Sequence, residues 1–407
     1  MDKKIPITAS IDLLILAYAI FDYLHGSKAD SSLLVFIFVL ISLIWQLCSF
    51  LSHFVFLKNM KPGSNLVSNN CEVIDYERLL NAPYYYEKDD TYQVLRNKRI
   101  EALLQDPNKK LTVSCNQTHP KCEYVKHYIR SFKSVLVIFL NQRWRNANHL
   151  NKAFVNDKKV CFCSEIDVGE TQMCCCIYRG QFYNGFLTNT IFSKYIDDNG
   201  FRLESPYNSM WYSIQPYDKS YFSDHVGVST LVVDFSNGKY YTLLLRQSIG
   251  TTRSQGLLCP SGSGSMDWSD FKAERDKNDF KQAIRLAAVR ELMEETQTDK
   301  GKGKKEREDL KKKLMDNTII VAYYRDLKQG GKPEFACVTK IWELPEKQEF
   351  INKVGEQAKE IKFGSHERVL LSHESWESIL KEEAGNGLKP SLALSMNYKA
   401  AMEYLKV

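Results

Sequence analysis

Apolar positions crowd the first sixty residues and then thin into short alternating or helical runs. Residues 31–57 hold no Asp, Glu, Lys or Arg, a stretch long enough to cross a bilayer with some tilt. A second apolar stretch, Ile5 to Leu24, is interrupted by Asp12 and Asp22. No small-residue cleavage site follows it and another apolar run comes at once, so a cleaved signal peptide does not fit. The pattern predicts a two-helix transmembrane hairpin over residues 1–60. Lys3 and Lys4 precede its apolar stretches, Lys58 and Lys61 follow them, and the turn between holds only Lys28, which places both termini on the cytoplasmic side. Asp12 and His53 fall at similar depth. A carboxylate there costs roughly 2.5–3.5 kcal/mol, so Asp12 either pairs with His53 in a polar lining between associated hairpins or is protonated or turned to the headgroups.

Beyond the turn-rich linker Lys61-Pro-Gly-Ser-Asn-Leu-Val-Ser-Asn-Asn70, the periodicity predicts helices near Asp90–Leu104 and Tyr124–Arg145, and β-rich text from Lys159 to about Phe192 predicts strands. Val228 to Arg246 reads as a hairpin, because Asn237-Gly238 suits a type I′ turn whose central residues both need positive φ. The Gly/Ser loop Leu257 to Gly264 follows, of the kind that lets backbone approach phosphate. Next come a helix around Leu286–Thr296, strands at Ile319–Tyr324 and Glu334–Trp342, and a closing turn and packing helix from Gly387.

Within Arg290-Glu-Leu-Met-Glu-Glu295, Glu291, Glu294 and Glu295 share one helical face at i, i+3 and i+4. Three like charges that close need a cation. Oxygen ligands of this kind suit Mg²⁺, with Mn²⁺ as the alternative, and Arg290 is spaced to orient Glu294. A solvated acidic face is the competing reading.

The chain has 407 residues, 44% of them hydrophobic, with net charge +6 and eleven cysteines. That length implies more than one domain, and a cytosolic setting implies reduced thiols. Cys161, Cys163 and Cys174-Cys-Cys176 read as buried thiols rather than zinc ligands, since adjacent strand positions face opposite ways and no Cys-x-x-Cys pair accompanies them. The run Lys300 to Lys313 is basic; it can attract an anionic ligand or the anionic leaflet, although a solvated helix face is the simpler reading.

The order hairpin, Pro-x-Gly loop and Ala-Ala-x-Arg-Glu-Leu-x-Glu-Glu-Thr helix resembles the Nudix family, hydrolases of nucleoside diphosphate derivatives. The resemblance implies that Glu291, Glu294 and Glu295 hold divalent metal, and act catalytically if the chain is a hydrolase. It also implies that Arg290 braces them and that Ser261, Gly262 and Gly264 belong to the ligand loop. Gln282 stands where the family has its first Glu, seventeen residues separate Gly264 from Gln282 where five are usual, and Gln297 replaces a glycine. Asp267, Asp270, Glu274, Asp276 or Asp279 of the insertion can supply a replacement carboxylate.

Joined to the N-terminal hairpin, the whole resembles the two-transmembrane Nudix effectors of bacterial CBASS anti-phage systems. That resemblance implies an inner-membrane homo-oligomer with two spans. It implies that a cyclic oligonucleotide, made by a partner nucleotidyltransferase, is sensed by the cytosolic domain. The hairpins then assemble in membrane lipid, disrupt the inner membrane and kill the infected cell. DNA is not among the expected partners. The alternative is a membrane-anchored Nudix hydrolase. The fold expected is therefore a membrane-anchored chain: hairpin 1–60, linker and α+β region 61–220, and a Nudix-like α/β/α mixed-sheet domain over 221–407.

Overall fold

In a computed structural model the chain divides into two units, residues 1–64 and 65–407. The described residues all lie in the second: 65–68, 84–88, 92–149, 155–169, 172–198, 201–207, 214–246, 257–275, 279–345, 347–348, 351, 368–386 and 389–407.

The fold class expected above needs correction. Among the described residues no helix is long and apolar enough to cross a membrane. The two longest, Lys133–His149 and Phe280–Thr296, have 17 residues each. They rise only about 26 Å at ~1.5 Å per residue, short of a ~30 Å hydrocarbon core, and both carry Lys and Arg. What the described residues form is a mixed α/β fold. The expected spans, with Asp12 and His53, lie outside the described residues.

The strands in chain order are β1 Asn65–Ser68, β2 Tyr85–Lys88, β3 Gln93–Arg96, β4 Leu111–Cys115, β5 Lys158–Phe162, β6 Asp167–Val168, β7 Met173–Gln181, β8 Lys194–Asp198 and β9 Phe201–Glu204. They continue as β10 Gly227–Ser236, β11 Lys239–Leu243, β12 Leu245–Arg246, β13 Leu258–Cys259, β14 Gly262–Ser265, β15 Thr318–Asp326, β16 Lys332–Lys340 and β17 Arg368–Leu370. An eight-stranded sheet runs β17-β11-β10-β16-β15-β3-β2, with β14 pairing on β10. β10 and β16 are parallel; the other pairs of this sheet are antiparallel. Smaller sheets join β1, β8 and β9, and β4, β7, β5 and β6.

β10 reads Val-Ser-Thr-Leu-Val-Val and is buried along both faces, as a strand covered on two sides must be. Val232 packs into one core with Val289, Leu292 and Met293 of the helix Phe280–Thr296, here the box helix, and with Leu310 and Leu314 of the basic helix Lys304–Asp316. Leu231 and Val233 point the other way, towards Met396, Tyr398 and Met402 of the C-terminal helix Leu392–Leu405. The period-two alternation of a strand produces this division. It leaves the box helix on one face of the sheet and the C-terminal helix on the other.

The Asn237-Gly238 turn forms as its sequence predicts, with φ of 49° and 73°. Other expectations shift. The helix expected at Tyr124–Arg145 is two, Pro120–Ser131 and Lys133–His149, meeting at Phe132. The segment expected as helix from Asp90 contains β3, and its helix begins only at Lys98, where the Asn97 side chain accepts from Ile100 N at 3.1 Å. Past β7 the strand-like text Phe182–Thr190 coils into a short helix and a π turn. The box helix ends at Gln297, whose φ of 49° is left-handed. A side chain resists that conformation and glycine does not, so Gln297→Gly is expected to stabilise the fold by about 0.5–1 kcal/mol in urea melts.

Candidate functional site

The site forms where β14 passes under the box helix. Residues Gly262 to Ser265 pair with Thr230 to Gly227 of β10, and the helix backbone crosses so closely that side chains are excluded. A Cβ on Gly262 would stand 2.6 Å from Leu292 Cα and N, and one on Gly264 would stand 2.1 Å from the Glu291 carboxyl carbon. Ser261 is fully buried. It donates to Leu243 O at 2.7 Å and accepts from Val232 N at 2.9 Å, so its hydroxyl is spent on tying the loop to the hairpin. Ser263 N donates to Glu295 Oε2 at 3.1 Å.

Arg290 is the hub of this junction. Its guanidinium donates to Asp270 through Nε and Nη2 at 3.1 and 3.0 Å, and to Ser265 O at 3.2 Å. It pairs with Glu291 at 3.0 Å, Glu294 at 3.3 Å and Asp267 at 3.5 Å. Burial works against its charge, but Glu291, Asp270 and Asp267 more than offset this and raise its pKa above the ordinary arginine range. Asp267 and Asp270 belong to the helix Trp268–Glu274 and its N-cap. The insertion thus supplies the brace for Arg290. Gln282 sits in the first turn of the box helix, about 12 Å along the axis from Arg290 at ~1.5 Å per residue. Of the other acidic candidates in the insertion, Asp279 caps the box helix, Glu274 lines a separate cavity of about 150 Å³ with Arg275 and Phe280, and Asp276 lies outside the described residues.

Lys159 enters from β5, where sequence gave no warning of it. It forms an ion pair with Asp267. Backbone bonding of Val160 N to Met266 O, at 3.1 Å, and of Val226 N to Val160 O, at 2.9 Å, holds it there. Only long-range strand pairing brings it to the site, and no local motif announces such pairing.

Glu291 has a side chain only 13% exposed. Burial pushes its carboxyl up to about 7, with Glu294 adding to the shift while Arg290 and Lys159 oppose it. The folded state therefore holds this proton more tightly than the unfolded chain. The associated stability is fully present below pH ~4.5 and is lost as pH rises through about 7, by up to roughly 3 kcal/mol. Glu291→Gln is expected to flatten that decline, as read by urea denaturation in chelator-treated buffer at pH 4.5 and 7.5.

Glu294, 61% exposed, stands at the mouth of a cavity of about 310 Å³. Arg290, Met293, Asp299, Lys304, Arg307, Glu308 and Lys311 line it as well. With the side chains as they stand, no group of three or more His, Cys, Asp or Glu among the described residues is arranged around a metal position. The donor set of Glu291, Glu294 and Glu295 is nevertheless all oxygen and suits a hard divalent cation, and the Glu294 side chain is 61% exposed.

The cysteines alternate as strand positions do. Cys175 is buried, Cys174 exposed, and Cys161 and Cys163 are buried; all are free thiols. Burial pushes the Cys161 thiol up to about 12, which suits an inert core thiol. No protein-family model matches the chain, and comparison with curated proteins gives no match.

Proposed function

We propose that the Nudix-like part, residues 221–407, senses a cyclic oligonucleotide through its phosphates and answers by assembling, as the resemblance to CBASS Nudix effectors implies. One observation carries this reading: at the crossing of β14 and the box helix, Arg290 lies among Asp267, Asp270, Glu291 and Glu294. Arg290 and Glu294 line the cavity of about 310 Å³, so charge of both signs faces it. Two helices covering opposite faces of a mixed sheet, with a parallel central pair, support the Nudix resemblance. Mg²⁺ on Glu291, Glu294 and Glu295 would neutralise phosphate oxygens when bound.

Binding is favoured over hydrolysis by one feature of this chain: Gln282, standing where the resemblance places the family's first Glu, cannot carry the negative charge that a carboxylate would bring. The test is titration of cyclic di- and trinucleotides into the full-length chain with Mg²⁺. One of them is expected to bind, and Glu294→Gln, which changes an exposed side chain, is expected to weaken it about tenfold. If none binds while a nucleoside diphosphate derivative is consumed, the sensor reading fails.

A further inference from the structure

The basic run that follows the box helix does not simply face solvent. Lys304, Arg307 and Lys311, spaced i, i+3 and i+7, lie on one side of the basic helix Lys304–Asp316. That side lines the same cavity as Arg290 and Glu294 of the box helix. The helix reaches this place because Leu310 and Leu314 sink into the core beside Val289, Leu292 and Met293, which fixes the rotation of the helix and turns the three cations towards the cleft. The cleft also holds acids. Arg307 lies 3.9 Å from Asp299, and Lys311 pairs with Glu308 at 2.8 Å. Lys304 has no ion-pair partner among the described residues, and both Lys304 and Arg307 are exposed.

We infer that Lys304, Arg307 and Lys311 form a second phosphate subsite, so that the ligand of the box helix carries at least two phosphate groups. One lies against the Arg290–Glu295 face and the other against the basic helix. The inference rests on the phosphate-binding reading above and adds to it the residues that take the ligand's second phosphate. Ammonium and guanidinium groups on a helix face bind phosphate by charge-assisted hydrogen bonds. A cavity of about 310 Å³ walled by two helices selects a compact oligophosphate or phosphodiester rather than an extended surface.

The test uses inorganic tripolyphosphate and Mn²⁺ as separate probes on the full-length chain. Two charge-matched variants are compared, Lys304→Ala/Arg307→Ala in the cleft and Lys305→Ala/Lys312→Ala on the exposed remainder of the same helix. The cleft pair is expected to weaken tripolyphosphate at least tenfold, the control pair less than threefold, and neither to alter Mn²⁺ affinity. Equal losses in the two variants, no loss in either, or no binding by the unaltered chain would overturn the subsite. So would capture of phosphatidylglycerol vesicles in place of tripolyphosphate. A chain that binds tripolyphosphate through the cleft pair but takes up no Mn²⁺ would keep the subsite and remove the metal from the carboxylate face.

Discussion

Gly262→Ala is expected to destabilise the protein by about 3 kcal/mol, while Gly264→Ala costs less than about 1.5 kcal/mol and disables the site instead. The difference lies in what each new methyl group meets. At 262 it would stand 2.6 Å from the Leu292 backbone. Backbone within a buried helix cannot move aside, so β14 and the box helix must separate, and Leu292, fully buried, loses part of its packing. At 264 the three atoms nearest the methyl group would all belong to the Glu291 carboxylate, the first at 2.1 Å. That is the far end of a side chain, and a rotamer change relieves the clash. Glu291 then leaves Arg290, and ligand affinity is expected to fall about tenfold with most of the stability intact. Urea denaturation combined with ligand titration separates the two outcomes. A Gly262→Ala chain as stable as the unaltered one would contradict the close crossing.

Lys121→Met is expected to cost about 3–5 kcal/mol, and adding Asp224→Asn is expected to restore most of it. Lys121, on the helix Pro120–Ser131, and Asp224, just before β10, are both completely buried and pair at 2.5 Å. Asn189 Nδ2 donates to the other Asp224 oxygen at 2.9 Å. Removing the lysine leaves a carboxylate without its cation in the interior, whereas the double variant leaves no charge behind. Asn is suited to the exchange because Asp224 has φ of 49°, a conformation that Asn and Asp adopt more readily than other side chains. Chemical denaturation of the two single variants and the double measures the coupling. Additive losses would show that the pair does not hold this helix to the strand.

Local chemistry made part of this molecule readable. The Asn237-Gly238 turn, the two strands it joins and the strands at Ile319 and Glu334 all announce themselves through turn residues and β-branched runs. The box helix was legible from Leu286 onwards, but its first turn begins at Phe280, where Asp279 accepts from Lys281 N behind a polar stretch without periodicity. The region between Asn65 and Ser220 is the least legible in the sequence, for a physical reason. β3 is a strand because Arg96 is fully buried between Glu101, Glu87 and Glu403, at 2.9, 3.3 and 3.0 Å, and Glu403 lies 307 residues away. A strand stabilised by so distant a partner leaves no local signature. The same holds for the site. Glu291, Glu294, Glu295 and Arg290 are visible as a helical face, whereas the pairing of Asp270 with Arg290 depends on the packing of two helices and that of Lys159 with Asp267 on strand contacts, which only the folded chain creates.

The proposed reading of the site as a binding surface rests on those contacts. The insertion that lengthens the loop before the box helix returns as Asp267 and Asp270 to occupy Arg290, and the basic helix that follows closes the opposite side of the cleft. On the proposed reading, charge of both signs holds an anion there and a phosphate chain has two points of attachment.

The most direct test is to incubate the full-length chain with Mg²⁺ and its tightest-binding cyclic oligonucleotide, following the nucleotide by chromatography and the protein by mass photometry. The nucleotide is expected to be recovered intact while the protein shifts to a larger assembly. Cleavage of the nucleotide that is lost in Glu294→Gln or Glu295→Gln, with no change in assembly, would contradict the account and make the box helix the centre of a hydrolase.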